Sequence, residues 1–340
     1  MGDVLVARVG RLMGKLSRRV AVAAAVQAAA FAVVAVVALD LYAHKRVDTV
    51  AGLNIWGYRG AVAHQKAPRE IRVAVVGGTR AFGLGSSSSW TIATVVRQQV
   101  MLATDRPGRP VRQVVPLTLA WPGALPDSYV ATLEHFSYLA PDYICFYDDL
   151  GVGGSAMPAE RSGLFARTGY WPALPVVLQE KGMLWRFGSV RAGYVGGTSS
   201  TSGMLRQVAG TGVQLAGRAL SRVDRVIARS PTSHRADNPE RYATELMEAV
   251  DLALAHAQGV VVALSPAELP LQSANAAAVM PRLEARAAIA KNLRVVDLSD
   301  TPLLLDASQR VDDWNYGGDA IAAAANRLAP AVIDLIRDNR

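Results

Sequence analysis

One cysteine, five histidines and an aromatic share of 6% are what this chain of 340 residues has least of, and each scarcity closes off a class of function. A lone thiol, Cys145, cannot make an intrachain disulfide. It lies in the apolar run Tyr143 to Tyr147, where a thiol behaves as a small hydrophobe, so it reads as core in preference to nucleophile. No Cys/His cluster has metal-ligand spacing, no Gly-Lys-Ser/Thr phosphate loop occurs, and no segment repeats. Metal, nucleotide and solenoid readings are set aside, and no cofactor is expected. Histidine stops at His256, so no side chain beyond it has an ordinary pKa near neutrality.

What is present is apolar: 51% hydrophobic residues against 19% charged ones, enough to bury a full globular core. An Ala/Val-rich run from Val20 to Leu39 is interrupted only by Gln27. At about 1.5 Å per helical residue it spans a hydrocarbon core of about 30 Å, and a transmembrane helix is expected over 20–42. The competing reading is a cleaved signal peptide, whose apolar segment is shorter than this one. Arg8, Arg11, Lys15, Arg18 and Arg19 precede the run with Asp3 alone against them, whereas Lys45 and Arg46 are balanced by Asp40 and Asp48. The positive-inside rule puts the N-terminus in the cytoplasm and the large domain outside, as in a single-pass protein of a bacterial inner membrane with a periplasmic domain. Residues 1–19 carry Leu5, Val9, Leu12, Met13 and Leu16 at helical spacing between basic residues, the pattern of an amphipathic helix on the cytoplasmic leaflet; the alternative is an ordinary basic flank.

After an arm over 43–70, strand and helix patterns alternate through 71–340. That rhythm predicts an α/β fold with a parallel five-stranded sheet covered on both faces, the three-layer α/β/α, flavodoxin-like arrangement. Expected strands are Ile71 to Val76, Val111 to Leu119, Asp142 to Tyr147, Gly259 to Leu264 and Leu293 to Leu298. Expected helices are Ser89 to Leu102, Ser128 to Tyr138, Pro239 to Ala257, Ala274 to Lys291 and Gly318 to Arg337. An insertion over about 151–235 interrupts the rhythm, with helical patterns over Leu174 to Phe187 and Met204 to Ile227. On the second, Arg218, Arg222, Arg225 and Arg229 line one face, opposite Ala216, Leu220, Val223 and Ile227. The arginines read as a solvated face or as a contact for lipid or a partner protein. Nucleic acid is not expected: an extracytoplasmic domain rarely meets it, and aromatic and basic residues do not interleave.

Two phrases carry a family resemblance. Asn54-Ile55-Trp56-Gly57-Tyr58-Arg59-Gly60, and after the first strand Gly77-Gly78-Thr79-Arg80-Ala81-Phe82-Gly83-Leu84-Gly85, resemble the opening blocks of membrane-anchored members of the SGNH/GDSL hydrolase family. There N-x-x-G-x-R-G precedes a strand, and GGST-x-FG-x-G or GDS carries the nucleophilic serine, whose place is taken here by Thr79. The segment Leu117 to Ala124 resembles the family's N-L-G-V-P-G-Y, whose last glycine, matched by Gly123, offers its N–H to an oxyanion; Thr118 stands for the asparagine. Phe146 to Val152 resembles F-Y-D-G-x-N-D, with Gly151 in the position of the oxyanion asparagine. Of the Asp-x-x-His ahead of the last helix, Asp312 matches the aspartate and Asn315 falls where the histidine belongs.

The resemblance implies an SGNH-like fold with a degenerate site at Thr79, Gly123, Gly151, Asp312 and Asn315, in which Thr79, Gly151 and Asn315 stand for the serine, the oxyanion asparagine and the histidine while Gly123 and Asp312 are matches. Threonine's extra methyl crowds the approach to a carbonyl, and asparagine accepts no proton near neutral pH. A missing oxyanion donor costs on the order of 10² to 10³ in rate, and a missing base or nucleophile on the order of 10⁶. His44 and His64 fall in the arm, His135 and His256 in helix patterns, and His234 at the end of the insertion, all ordinary places for surface or core histidines. Asp148 and Asp149 lie at a strand end with no second group placed near them by sequence. The expected function is that of a non-catalytic accessory or scaffolding subunit of a larger membrane complex, respiratory, photosynthetic or envelope-building, with other subunits and membrane lipid as partners. Small residues, Ala23 to Ala25 and Ala28 to Ala30, suit close packing of the span, although alanine is abundant throughout. The alternatives are an esterase or O-acetyl transfer enzyme acting on a cell-envelope glycan, and a glycan-binding module using the old cleft.

Overall fold

The computed structural model describes residues 2–44, 53–83, 86, 90–104, 113–151, 162–188, 204–227, 238–309 and 317–339. Helix α1 (Gly2–His44) is unbroken: the segment 1–19, expected as a separate amphipathic piece, runs on into the apolar stretch as one helix. Within it Val20–His44, 25 residues, is long and apolar enough to cross a membrane, and the rest of the protein buries only its end, at Asp40 and Ala43. Its end is fixed to the domain by polar bonds. Asp40 is buried; its carboxylate accepts the Leu174 N–H at 2.6 Å and the Tyr170 hydroxyl, and His44 Nε2 donates to the Trp171 carbonyl at 3.0 Å.

Strands β1 (Ile71–Gly77), β2 (Val114–Ala120), β3 (Tyr143–Asp148), β4 (Gly259–Leu264) and β5 (Leu293–Asp297) form one sheet, wholly parallel, in the order β2-β1-β3-β4-β5. This is the flavodoxin-like order, in which the chain reverses direction of winding beside β1 and leaves a crevice at the carboxyl ends there. β1, β3 and β4 are buried along their whole length, which is why they read as continuous apolar runs and not as alternations. One face, through Val73, Val75, Cys145, Tyr147, Val261 and Ala263, packs on α3 (Ile92–Thr104) and the C-terminal helix Gly318–Asp338. The other, through Ala74, Val76, Ile144, Phe146, Val260 and Val262, packs on α4 (Tyr129–His135) and the helices Pro239–His256 and Pro270–Ile289. Cys145 is core, and burial pushes its thiol up to about 12.

Several boundaries differ from expectation for local reasons. The helix expected from Ser89 starts at Ile92, where the Thr91 hydroxyl accepts the Thr94 N–H. β2 starts at Val114; residues 111–112 lie outside the described ones. The helix expected over Ser128 to Tyr138 is a 3₁₀ turn, α4, and a second 3₁₀ turn after Phe136. The helix expected from Ala274 begins at Pro270, whose fixed φ suits a first helical position.

The arm is folded onto the domain from Leu53 onward. Asn54 closes its own turn, donating to the Gly60 carbonyl at 3.1 Å and accepting the Trp56 N–H at 3.0 Å, with Gly57 and Gly60 at φ +82° and +105°. Tyr58 and Arg59 are buried, and Arg59 bridges to Thr118 on the edge strand. The guanidinium donates to the carbonyls of Phe82, Gly83 (2.6 Å) and Ser86, the last carbonyls of the short helix α2 (Thr79–Phe82) and the turn after it.

The insertion holds α5 (Gly163–Thr168), α6 (Leu174–Phe187) and α7 (Met204–Ile227), the last two with the expected bounds. The remaining helices are α8 (Pro239–His256), α9 (Pro270–Ile289), α10 (Pro302–Leu305) and α11 (Gly318–Asp338). The face by which α7 packs is neither the arginine face nor the apolar stripe. Gly210, Gln214 and Gly217 face α6, where an added Cβ on Gly217 would lie 2.7 Å from the Pro175 carbonyl oxygen and one on Gly182 would lie 2.6 Å from that of Gly210. Backbones this close leave no room for leucine or valine, so the expected apolar stripe is turned outward: Ala216 and Val223 are exposed and Leu220 is half-buried. Arg218 and Arg222 are exposed, the side chain of Arg225 lies outside the described ones, and Arg229 lies outside the described residues.

Arg59→Lys should lower stability by about 3 kcal/mol, since one ammonium cannot fork to three carbonyls and charged hydrogen bonds contribute about 1.5–3 kcal/mol each. At about 2–4 °C per kcal/mol the full chain in detergent would melt roughly 6–12 °C lower; an unchanged melting midpoint would show the clamp to be dispensable.

Candidate functional site

The site is built where β1 stops. Gly77 and Gly78 are there because nothing larger fits: a Cβ on Gly77 would lie 2.2 Å from the Tyr147 carbonyl oxygen, and one on Gly78 would lie 2.7 Å from Asp149 Oδ2 and 2.8 Å from the Ala124 oxygen. β3 and the loop after β2 thus close onto the end of β1. The chain turns at Gly78 into α2, and Thr79 is its first residue, buried, at the carboxyl edge of the sheet.

Two of the residues expected around Thr79 meet. The Gly123 N–H donates to Thr79 Oγ1 at 2.8 Å, and Gly123 is held at φ +79° in the turn between Trp121 and Ala124. Gly151 follows β3 at φ +96°, directly after Leu150 at φ +55°, so the strand's exit bends away through two left-handed residues. Glycine offers no side-chain amide there. Asp312 and Asn315 lie outside the described residues.

Sequence reading missed how much buried charge surrounds the turn. Asp149 Oδ2 accepts the Arg80 N–H at 3.0 Å and caps α2 from the neighbouring strand, a favourable place for a carboxylate. Burial nonetheless pushes its carboxyl up to about 7, against the pull of Arg80 and of the Arg80 and Thr79 backbone N–H groups, with Asp148 adding to the rise. Asp149 Oδ1 is buried without a hydrogen bond among the described residues. Asp148 also lies above the usual carboxylate range because it is buried, although the hydroxyls of Tyr242 and Tyr129 and the Leu150 N–H all donate to it. Arg80, fully covered, donates to the Ser265 hydroxyl and pairs with Glu268 at 2.7 Å. From α9, Gln272 Nε2 donates to the Asp149 carbonyl at 3.2 Å and Asn275 Nδ2 to that of Leu150 at 3.1 Å. The signal was available: arginine inside the turn motif and paired aspartates ending an apolar strand can be buried only if each finds partners.

The described histidines lie elsewhere. His44 binds the Trp171 carbonyl, and His135 packs edge-on against Phe136, where burial lowers its pKa. His256 lines a cleft with Lys66 and Asp142 at the amino ends of the strands, and the His64 carbonyl accepts Arg72 Nη2. His234 lies outside the described residues. Among the described residues no group of His, Cys, Asp and Glu side chains could hold a metal ion.

No protein-family model and no curated protein matches this chain. It is similar in fold to solved structures. One is a G-D-S-L family protein from Desulfitobacterium hafniense DCB-2, described as lipolytic, at 12% identity over 76% of this chain and 98% of that one, with a TM-score of 0.38. Another is the Clostridium thermocellum family 3 carbohydrate esterase, at 14% identity over 79% and 98%, TM-score 0.41. A third is an acetyl esterase mutant with acetate, at 12% identity over 79% and 100%, TM-score 0.35.

Two outcomes test this geometry. Gly77→Ala should cost about 2–3 kcal/mol, the usual penalty of forcing atoms into a filled space, read as a lower unfolding midpoint of the full chain. For Asp149 the sign follows from its raised value: between about 4, its ordinary value, and about 7 the folded state holds a proton that the unfolded state has released, so this group's contribution falls as pH rises through that window. Asp149→Asn keeps an acceptor for the Arg80 N–H and removes the slope. The midpoint of the variant relative to the parent should climb across that range and level off above it; a constant difference at every pH would remove the assignment.

Proposed function

We propose that this chain is a non-catalytic, membrane-anchored SGNH-like protein, held by α1 with its domain on the periplasmic side of a bacterial inner membrane, that serves as an accessory or scaffolding subunit of a larger membrane complex. The observation that carries the proposal is the bond between the Gly123 N–H and Thr79 Oγ1. In a working site the hydroxyl attacks and that N–H waits for the oxyanion; here the donor is spent on the hydroxyl itself. Gly151 lacks the second donor that the resemblance would put there, and Asn315 stands for the base. The remaining polar groups support a structural role, since Arg80 binds Ser265 and Glu268, Asp148 accepts from Tyr242, Tyr129 and the Leu150 N–H, Asp149 Oδ2 accepts the Arg80 N–H, and Gln272 donates to the Asp149 carbonyl.

Retention for its surfaces then explains a chain that keeps the scaffold and spends its buried charge on rigidity. The small residues of the span and the outward faces of the insertion are where other subunits and lipid would meet it.

The test uses the full chain purified in mild detergent. It should not turn over activated acetyl esters above the rate of the Thr79→Ala variant, and extraction from native membranes should bring defined membrane proteins with it in fixed proportion. Turnover that disappears in Thr79→Ala, or a chain extracted alone as a monomer, would overturn the proposal; the first result would point to an esterase or acetyl transfer enzyme.

A further inference from the structure

The outward face of α7 is apolar and uncovered. Met204, Leu205, Val208, Leu215 and Val223 are 82%, 87%, 66%, 56% and 62% exposed, in a helix whose opposite, glycine-bearing face is closed on α6. Ala216 and Ala219 lie between them and are also exposed. A stripe of this kind along 24 residues is costly to leave in water, at about 25 cal/mol per Å² of apolar surface.

What covers it is indicated by where it begins. Leu220 and Val223 at the end of α7, with Leu164 and Leu174, share an apolar cleft of about 250 Å³ with Val36 and Val37 of α1. If Val20 to Leu39 fills the hydrocarbon core, then at about 1.5 Å per residue Val36 and Val37 lie within roughly 5 Å of its outer edge. The end of α7 is therefore level with the boundary between acyl chains and headgroups. The mount is not a loose one: Asp40 bonds the N–H of Leu174, the first residue of α6, and the Leu164 N–H at the start of α5 bonds Asp224 of α7 at 3.0 Å.

Charge and composition agree with lipid. Arg218 and Arg222 flank the apolar stripe and are exposed, placed to reach phosphate while their stems lie on the apolar surface. The stripe is built of Leu, Val, Met and Ala, side chains that offer acyl chains apolar surface and no polar group to satisfy. The chain carries a formal net charge of +8.

From these observations we infer that the α6–α7 hairpin is a second membrane contact: the apolar face of α7 lies in the acyl–headgroup boundary of an anionic leaflet on the domain's side, continuous with the span. The inference rests on α1 crossing the membrane and is independent of whether Thr79 is catalytically active. Interfacial helices of this composition sink their apolar face about 5–10 Å into that boundary.

The test exploits Cys145, which is buried with its thiol raised to about 12, so an added cysteine is labelled selectively. Full-length Val33→Cys, Leu215→Cys, Val223→Cys and Ile289→Cys variants carry an environment-sensitive fluorophore and are reconstituted into vesicles of equal parts phosphatidylglycerol and phosphatidylethanolamine. Positions 215 and 223 should shift to the blue and be quenched by spin-labelled lipid of shallow depth, position 33 by deep spin label, and position 289, on the exposed end of α9, by neither. Adding Arg218→Glu and Arg222→Glu should weaken the shallow quenching at 215 without changing it at 33. Quenching at 33 but not at 215 or 223 overturns the second contact alone. No quenching at 33 overturns the span and this inference together. A blue shift at 215 and 223 that occurs in native membranes but not in pure lipid vesicles overturns it in favour of a protein partner.

Discussion

At the end of β1 three stretches of backbone approach one another more closely than a Cβ permits, and the rest of the site follows from that approach. Gly77 lets the carbonyl of Tyr147 in, and Gly78 lets in both Asp149 and the carbonyl of Ala124. Because β3 is that close, Asp149 can cap α2 from outside its own helix. Because the loop after β2 is that close, the Gly123 N–H meets the first side chain of α2 and not solvent. The same crowding removes water from a region rich in charge. A carboxyl there must be neutralised by proton, by arginine or by backbone N–H groups, and Arg80 and backbone N–H groups surround Asp148 and Asp149, whose carboxyls burial pushes up.

Buried charge of this kind is weak evidence for stability, since apolar residues of equal volume often serve as well. What it supplies is fixed direction. Arg59 reads the carbonyls at the exit of α2 while Asp149 reads the N–H groups at its entrance, so a helix of four residues, too short to persist alone, is held at both ends by side chains from other elements. In an esterase such rigidity keeps a nucleophile aimed. Here the same rigidity holds Thr79, whose hydroxyl accepts the Gly123 N–H.

Much of the fold was legible because burial on both faces writes parallel strands as short unbroken apolar runs. The strand Gly259–Leu264 and the helices Leu174–Phe187 and Met204–Ile227 have the bounds read from sequence. What the sequence left open was left open for physical reasons. Periodicity locates the two faces of α7 but not which one is inward; that was decided by Gly210 and Gly217, which admit the backbone of α6 where larger residues could not. The arm looked like a linker because Tyr58 and Arg59 show no regular period, and their burial depends on β2 and α2, far along the chain. In the candidate site the motifs located Thr79 and Gly123 correctly beside each other. They were silent about Arg80, Asp148 and Asp149, whose roles arise from contacts with Glu268, Tyr242 and Gln272 that no local pattern encodes.

The polar fastening of α1 links these observations to the membrane. An aspartate near the C-terminal end of an apolar helix is costly unless its bonds are satisfied, and Asp40 is satisfied by the insertion: by the Leu174 N–H and by the Tyr170 hydroxyl, with His44 on the Trp171 carbonyl. Trp171 in turn packs against both layers of the core and donates its N–H to the Ile55 carbonyl. The span, the insertion and the arm that clamps α2 therefore share one set of contacts. A free linker would let the helix sample many directions, whereas α1, bonded through Asp40 and His44 to the segment around Trp171 and Leu174, is held in one direction relative to the sheet.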